Sequence, residues 1–217
     1  MDGEGLPRLP PGRHGLPREF VTQNQRDRIT AGIIAAVAAH GYREATVSQI
    51  AAEAGLSRRT FYAYFSSKAE CFGATYEMIA AYLEESMREA AAGKRGWSRQ
   101  VAAELGALLD SYAANPDLVR FTLIAPPAAG GEIADAYRRF LERLLAVVSE
   151  GMPKAARTPS EAARYALAGG LAALIVAKVN AEEGEQLADL CPDLLELVLT
   201  PYMGRERAIK EVGRKGG

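Results

Sequence analysis

Arg58 and Arg59 stand side by side at the front of "SRRTFYAYF", residues 57–65. Two adjacent cations at the start of a helix run against the helix dipole, which is positive there and favours acids. The violation makes sense where phosphates or guanine edges arrive. Tyr62 and Tyr64 add hydroxyls of the kind that reach phosphate oxygens, and Lys68 follows at the start of the next helix. Phe61 and Phe65, four apart, share the face to be buried, which leaves Arg59, Thr60, Ala63 and Tyr64 on the others. The plainer alternative is a solvated polar face.

Other chemistries lack their residues. The chain shows no nucleophile motif, phosphate loop, metal-ligand spacing or paired acids on one helix face. Its two histidines, His14 and His40, both lie near the N-terminal end, and Cys71 and Cys191 form no CxxC. We therefore expect no catalytic residues, no metal, no cofactor and no disulfide framework, in a reducing cytoplasm. Net charge is -1, so the whole chain is no general polyanion binder. Residues 1–70 hold nine Lys/Arg against seven Asp/Glu, a modest basic excess beside a slightly acidic remainder.

The elements that position the arginines are helices throughout, with no β-alternation. Thr22 with Gln25, Thr46 with Gln49 and Ser67 with Glu70 each read as a capping box, and Ser57 as a simpler cap. A first helix carries Ile29, Ile33, Ile34 and Val37 on one face and ends near His40, before Gly41. A second, after Thr46, buries Val47, Ile50 and Ala51; "EAGLS" then turns the chain at Gly55 into the arginine segment. Helix, short Gly-containing turn and helix make a helix-turn-helix, whose second helix presents its N-terminal residues to bases in the major groove. The candidate DNA-contacting residues are Thr46, Ser57, Arg58, Arg59, Thr60, Tyr62, Tyr64 and Lys68. Residues 1–18, rich in Gly, Pro and Arg, read as a mobile arm whose Arg8, Arg13 and Arg18 are candidates to enter the minor groove or touch phosphates beside the main site; a plain disordered tail is the other reading.

"TVSQIAAEAGLSRRTFYAYFSSKAECF", residues 46–72, resembles the TetR family of bacterial transcriptional repressors. Thr46, Val47, Ile50, Ala51, Ala54, Gly55, Ser57, Tyr62, Phe65, Lys68 and Glu70 carry the resemblance, and Leu56 replaces the commoner valine. The resemblance implies an all-α fold: a three-helix DNA-binding domain (19–66), then a larger helical domain (67–204) that binds a small-molecule effector and forms a homodimer. It also implies a pseudo-palindromic double-stranded DNA operator, released when the effector moves the fourth helix and changes the separation of the two recognition helices. A helical enzyme or interaction protein that retains the motif is the other reading.

Beyond residue 67 the pattern predicts a long helix to about Ala92, then helices around Val101–Tyr112, at "NPD" (115–117) stopping before "APPAAGG", at 132–150, from Ser160 to about Asn180, and a last one holding Leu194 to Tyr202. Residues 205–217 read as a tail. Met78, Tyr82, Tyr112, Phe121, Tyr137, Phe140 and Tyr165 are the candidate lining of an effector cavity. The apolar run "ALAGGLAALIVA" (166–177) is too short to span a membrane and reads as a helix buried on several sides. Its Gly169 and Gly170, with Leu174 and with Leu194, Leu195 and Val198 of the last helix, are the candidate dimer interface, by analogy with four-helix bundles.

Overall fold

The structure, a computed structural model, describes residues 18–213 other than residue 155. The arm expected over residues 1–18 lies, but for Arg18, outside the described residues. Every regular element among them is helical. Two compact units divide between Glu77 and Met78, inside the fourth helix and eleven residues beyond the boundary expected from the motif.

The first unit holds α1 (Arg18–Glu44), α2 (Val47–Glu53), α3 (Arg58–Tyr62) and the start of α4 (Lys68–Ala91). α1 breaks at Gly41 (φ 76°, ψ 160°), directly after His40, as predicted. It begins earlier than predicted, so Thr22 sits inside it and caps nothing; residues 18–21 contain neither Gly nor Pro to stop the helix. The Thr46–Gln49 capping box is complete. The third box is shifted: Ser67 Oγ accepts from the Glu70 amide at 3.1 Å, but the Glu70 carboxylate reaches back to the Ser66 amide at 2.7 Å.

Close packing of α1 on α2 rests on Gly32. A Cβ there would lie 2.6 Å from the Ile50 carbonyl oxygen and 2.9 Å from the Ala54 amide nitrogen. Ile29, Ile33 and Val37 of α1, Ile50 of α2, Phe61 of α3 and Phe72 of α4 are all buried. The turn into α3 passes through Gly55 in the left-handed region (φ 61°), a conformation glycine adopts at no steric cost.

The second unit holds the rest of α4, α5 (Trp97–Ala114), α6 (Pro116–Val119), α7 (Ala125–Ala129), α8 (Gly131–Ser149), α9 (Glu161–Asn180), α10 (Cys191–Met203) and α11 (Arg205–Gly213). The helix expected to stop before "APPAAGG" continues. A π-turn over Arg120–Ile124 joins α6 to α7, and Pro126 and Pro127 fall in the first turn of α7, where a missing amide proton costs least. Trp97 fastens three helices: its Nε1 donates to the Val148 carbonyl at 2.8 Å and its ring meets Tyr202 at 5.2 Å. The expected tail at 205–217 is α11 as far as Gly213, set off from α10 by Gly204 (φ 82°), with Ala208 buried.

The apolar run belongs to the 20-residue α9, capped by Ser160 as predicted. By length and composition alone α9 could cross a membrane, with a mean hydropathy of 1.5. Within the protomer α9 is buried on one side: Ala168, Ala172, Ile175 and Val179 are buried, and Ala162, Ala166, Gly169, Gly170, Ala173, Leu174 and Ala177 face outward.

Candidate nucleic-acid interface and apolar cavity

α3 is short, and its local bonds explain how so few residues hold their place. Ser57 Oγ accepts from the Thr60 amide at 3.0 Å and pairs with the Thr60 hydroxyl at 2.9 Å. Phe61 and Phe65 are buried with ring centroids 5.9 Å apart, as their spacing predicted. The turn before α3 is held from α1: Arg28, itself buried, donates from Nε to the Ala54 carbonyl at 2.9 Å and from Nη2 to that of Gly55 at 2.8 Å. A charged side chain satisfying two carbonyls at a helix end replaces bonds that water would otherwise supply.

On this base Arg58 and Arg59 are exposed, and neither guanidinium has a hydrogen-bond or ion-pair partner among the described residues. Tyr62 is half exposed, its ring edge-on to Phe61. Arg58 and Arg59 thus point into solvent, with Tyr62 partly exposed beside them.

The other candidates are engaged in the fold. Thr46 and Ser57 spend their hydroxyls on caps. Tyr64 donates its hydroxyl to Gln25 Oε1 at 2.7 Å, tying the end of the α3 segment to α1. Lys68 is the clearest correction. Its ammonium donates to the carbonyls of Tyr42 (2.6 Å), Ala45 (2.7 Å) and Arg43 (3.2 Å), and it lies 4.5 Å from the Tyr42 ring centroid. Its three protons have three acceptors, so Lys68 closes the α1–α2 corner and is not set to hold a phosphate. Burial lowers its pKa, opposed by the charge of Glu44.

In the second unit a cavity of about 40 Å³ lies among α4, α5, α8 and α9, lined by apolar side chains including Met87, Leu105, Leu108, Leu144 and Ile175. Of the aromatic candidates only Tyr112 reaches it. Burial raises the Tyr112 pKa; its hydroxyl pairs with Thr122 at 3.1 Å, which donates onward to the Leu118 carbonyl. Phe121 and Phe140 are buried outside the lining. Tyr137 is half-buried, and Met78, Tyr82 and Tyr165 face solvent, on the outer sides of their helices. The leucines that do line the cavity had only an ordinary core signature.

An open groove of about 1120 Å³ between α8 and α9 shares Leu141, Leu145 and Ala168 with the cavity wall, and Tyr165 and Glu150 lie along it. Near the cavity, Glu104 of α5 is buried and its Oε2 has no hydrogen-bond partner. Burial first, then the negative charge of Glu150, raises its pKa to about 7, against the opposing pull of Arg88.

Of the dimer candidates, Gly169, Gly170 and Leu174 are on the exposed face of α9. Leu194, Leu195 and Val198 are not available: each is buried within the protomer, because α10 turns that stripe inward. Leu197 is the exposed leucine of α10.

Residues 29–75 match the family of bacterial regulatory proteins of tetR type. The helix-turn-helix unit is a TetR-family domain. The HTH-type transcriptional repressor SCO4008 of Streptomyces coelicolor is 33% identical over 93 residues, which take in 43% of this chain and 45% of that repressor. The chain therefore spans about half the length of the curated relative it matches. The fold is that of solved TetR-type and related regulators. The fatty acid degradation regulator FadR of Bacillus halodurans superposes with a TM-score of 0.71 at 21% identity, over 81% of this chain and 94% of its own. FadR of Bacillus subtilis, solved with stearoyl-CoA, gives 0.67 at 19% identity, over 81% and 98%. SmeT, the repressor of the Stenotrophomonas maltophilia multidrug efflux pump SmeDEF, gives 0.58 at 19% identity, over 82% and 89%.

Proposed function

We propose that this chain is a cytoplasmic, non-enzymatic transcriptional repressor. It binds a two-half-site DNA operator as a homodimer and leaves it when a small molecule enters the helical unit. The observation that carries the reading is the contrast on and around α3. Ser57, Thr60 and Tyr64 are bonded into the fold and Arg28 holds the turn before them, while the two guanidiniums stand exposed at the end of the helix that a helix-turn-helix offers to the major groove.

The dimer surface in this reading is the outer face of α9 with Leu197 of α10. Ala166, Gly170, Leu174 and Ala177 recur at helical spacing there, and nothing lies within 4 Å of a Cβ added at Gly169 or Gly170. Small residues let a second helix approach closely. Glu161 and Arg164 flank the stripe at one end and Lys178 at the other. A twofold dimer presents two copies of α3, hence a pseudo-palindromic operator.

The effector site is the apolar cavity. Its aliphatic lining supports a ligand with an apolar segment, and the stearoyl-CoA held by the Bacillus subtilis relative has one. At about 40 Å³ the cavity must enlarge to take it, so side chains such as Met87 move. Met87 belongs to α4, the helix whose first residue, Lys68, is anchored to the α1–α2 corner. A gel shift on DNA flanking the protein's own gene tests the reading. A shift is expected; its absence favours a helical enzyme or interaction protein that has kept the motif.

A further inference from the structure

Three carboxylates, Glu84, Glu104 and Glu150, meet two guanidiniums, Arg88 and Arg143, where α4, α5 and α8 come together. Arg88 approaches Glu150 at 3.1 Å and Glu84 at 3.7 Å, and Arg143 pairs with Glu84. The two cations are thus taken up by Glu84 and Glu150. Glu104 is left over, 4% exposed, with Oε2 unpartnered in the interior. A buried carboxylate without a partner is costly, and a cation brought to it offsets that cost.

Glu104 lies behind the apolar lining of the cavity, not in it, but its neighbours on α5 form that lining. It directly precedes the lining residue Leu105 and is one turn from Leu108. Met87 precedes Arg88 and Leu144 follows Arg143, so the charged cluster and the lining alternate along the same helices. Glu150, whose charge is felt at Glu104, also lies along the α8–α9 groove that shares wall residues with the cavity.

We propose that the ligand of the helical unit is a cationic amphiphile, its ammonium head set against Glu104 and Glu150 and its aliphatic tail among Leu105, Leu108 and Met87. The inference rests on the reading of this cavity as the effector site and adds the charge of the head group. An anionic head of the acyl type would bring a further negative charge to a cluster that already lacks a cation. The proton that Glu104 holds near neutrality supplies a second signature: a cation arriving there displaces it.

The test is titration calorimetry of the full chain, without DNA, using decyltrimethylammonium, decanol and decanoate, each below its micellar concentration. The native chain is expected to prefer the cation over decanol by about tenfold or more. Glu104→Gln is expected to lose that preference while still binding decanol. Binding of the cation near pH 7 is expected to release roughly half a proton, read from the dependence of the heat on buffer. Should Glu104→Gln fail to fold, Glu150→Gln, a half-exposed position, is expected to reduce the preference several-fold. Equal or tighter binding of decanoate, no binding of the cation, or an undiminished preference in the folded variants overturns the proposal. Because no DNA is present, an absent gel shift with an intact cation preference contradicts the operator reading alone.

Discussion

Arg28 and Gly55 are joined by a 2.8 Å hydrogen bond from the Arg28 Nη2 to the Gly55 carbonyl, across 27 positions of sequence. With the companion bond to Ala54, it holds from α1 the turn that aims α3. Arg28→Ala is expected to destabilise the protein by about 2–3 kcal/mol, because it strands two carbonyls that a charged donor now satisfies. Thermal melts of the full chain check this, and operator affinity is expected to fall with it. An unchanged melting curve would show that water replaces the bonds.

Gly32 and Gly170 are expected to answer alanine in opposite ways. At Gly32 the added carbon meets backbone of α2 at 2.6 Å, and a shift costs about 1–3 kcal/mol. At Gly170 nothing is within 4 Å in the protomer, so alanine gains about 1 kcal/mol of helix propensity. Gly170→Leu is expected to weaken self-association in sedimentation experiments without lowering protomer helicity. An unaltered dimer would remove α9 from the interface.

Around α3 the exposed and bonded residues separate in their effects. Arg59→Ala is expected to cost on the order of 1–3 kcal/mol of operator binding and relax preference at one base position, with no change in melting temperature. Lys68→Ala is expected to act the other way round. It leaves the Tyr42, Arg43 and Ala45 carbonyls without their donor, so the melting temperature falls, by about 1–3 kcal/mol in stability. Binding measurements and melts on both variants decide the assignment. It fails if Lys68→Ala melts like the native chain.

Glu104 predicts a pH dependence. The folded chain keeps its proton up to about pH 7, while the unfolded chain releases it near the ordinary value of 4.5. Between these values the folded state binds more protons, so stability falls as pH rises; the contribution is complete below about 4.5 and lost through about 7. Glu104→Gln removes the loss. It is expected to melt above the native chain at pH 8, by on the order of 1–2 kcal/mol, and the gap is expected to close towards pH 4.

Much of the first unit was legible because its signals are local. Thr46 and Gln49 are three apart, Phe61 and Phe65 four apart, and the break at Gly41 needs only its own backbone. What escaped depends on distant partners. Lys68 looked like a free cation because its acceptors lie 23–26 residues upstream. Arg28 and Gly32 sit in an amphipathic helix like any other until α2 is laid against it. In the second unit, periodicity located most of the helices but not which side of each faces the core. Met78 and Tyr82 share a broad stripe with Ile79 and Leu83, yet only the latter pair is buried. Leu194, Leu195 and Val198 read as a dimer interface, but they are buried within the protomer. α11 was missed because it offers little beyond Ala208, Ile209 and Val212 as an apolar face.

The most direct test of operator recognition is selection from a randomised duplex library with the native chain and with the Arg58→Ala/Arg59→Ala double variant, melts being run alongside. The native chain is expected to enrich two half-sites in inverted repeat. Its affinity for them is expected to fall with salt at a log-log slope of about -0.9 per phosphate neutralised. The double variant is expected to melt like the native chain and enrich no sequence. Enrichment of the same site by both chains, or of none by the native chain, would contradict the account.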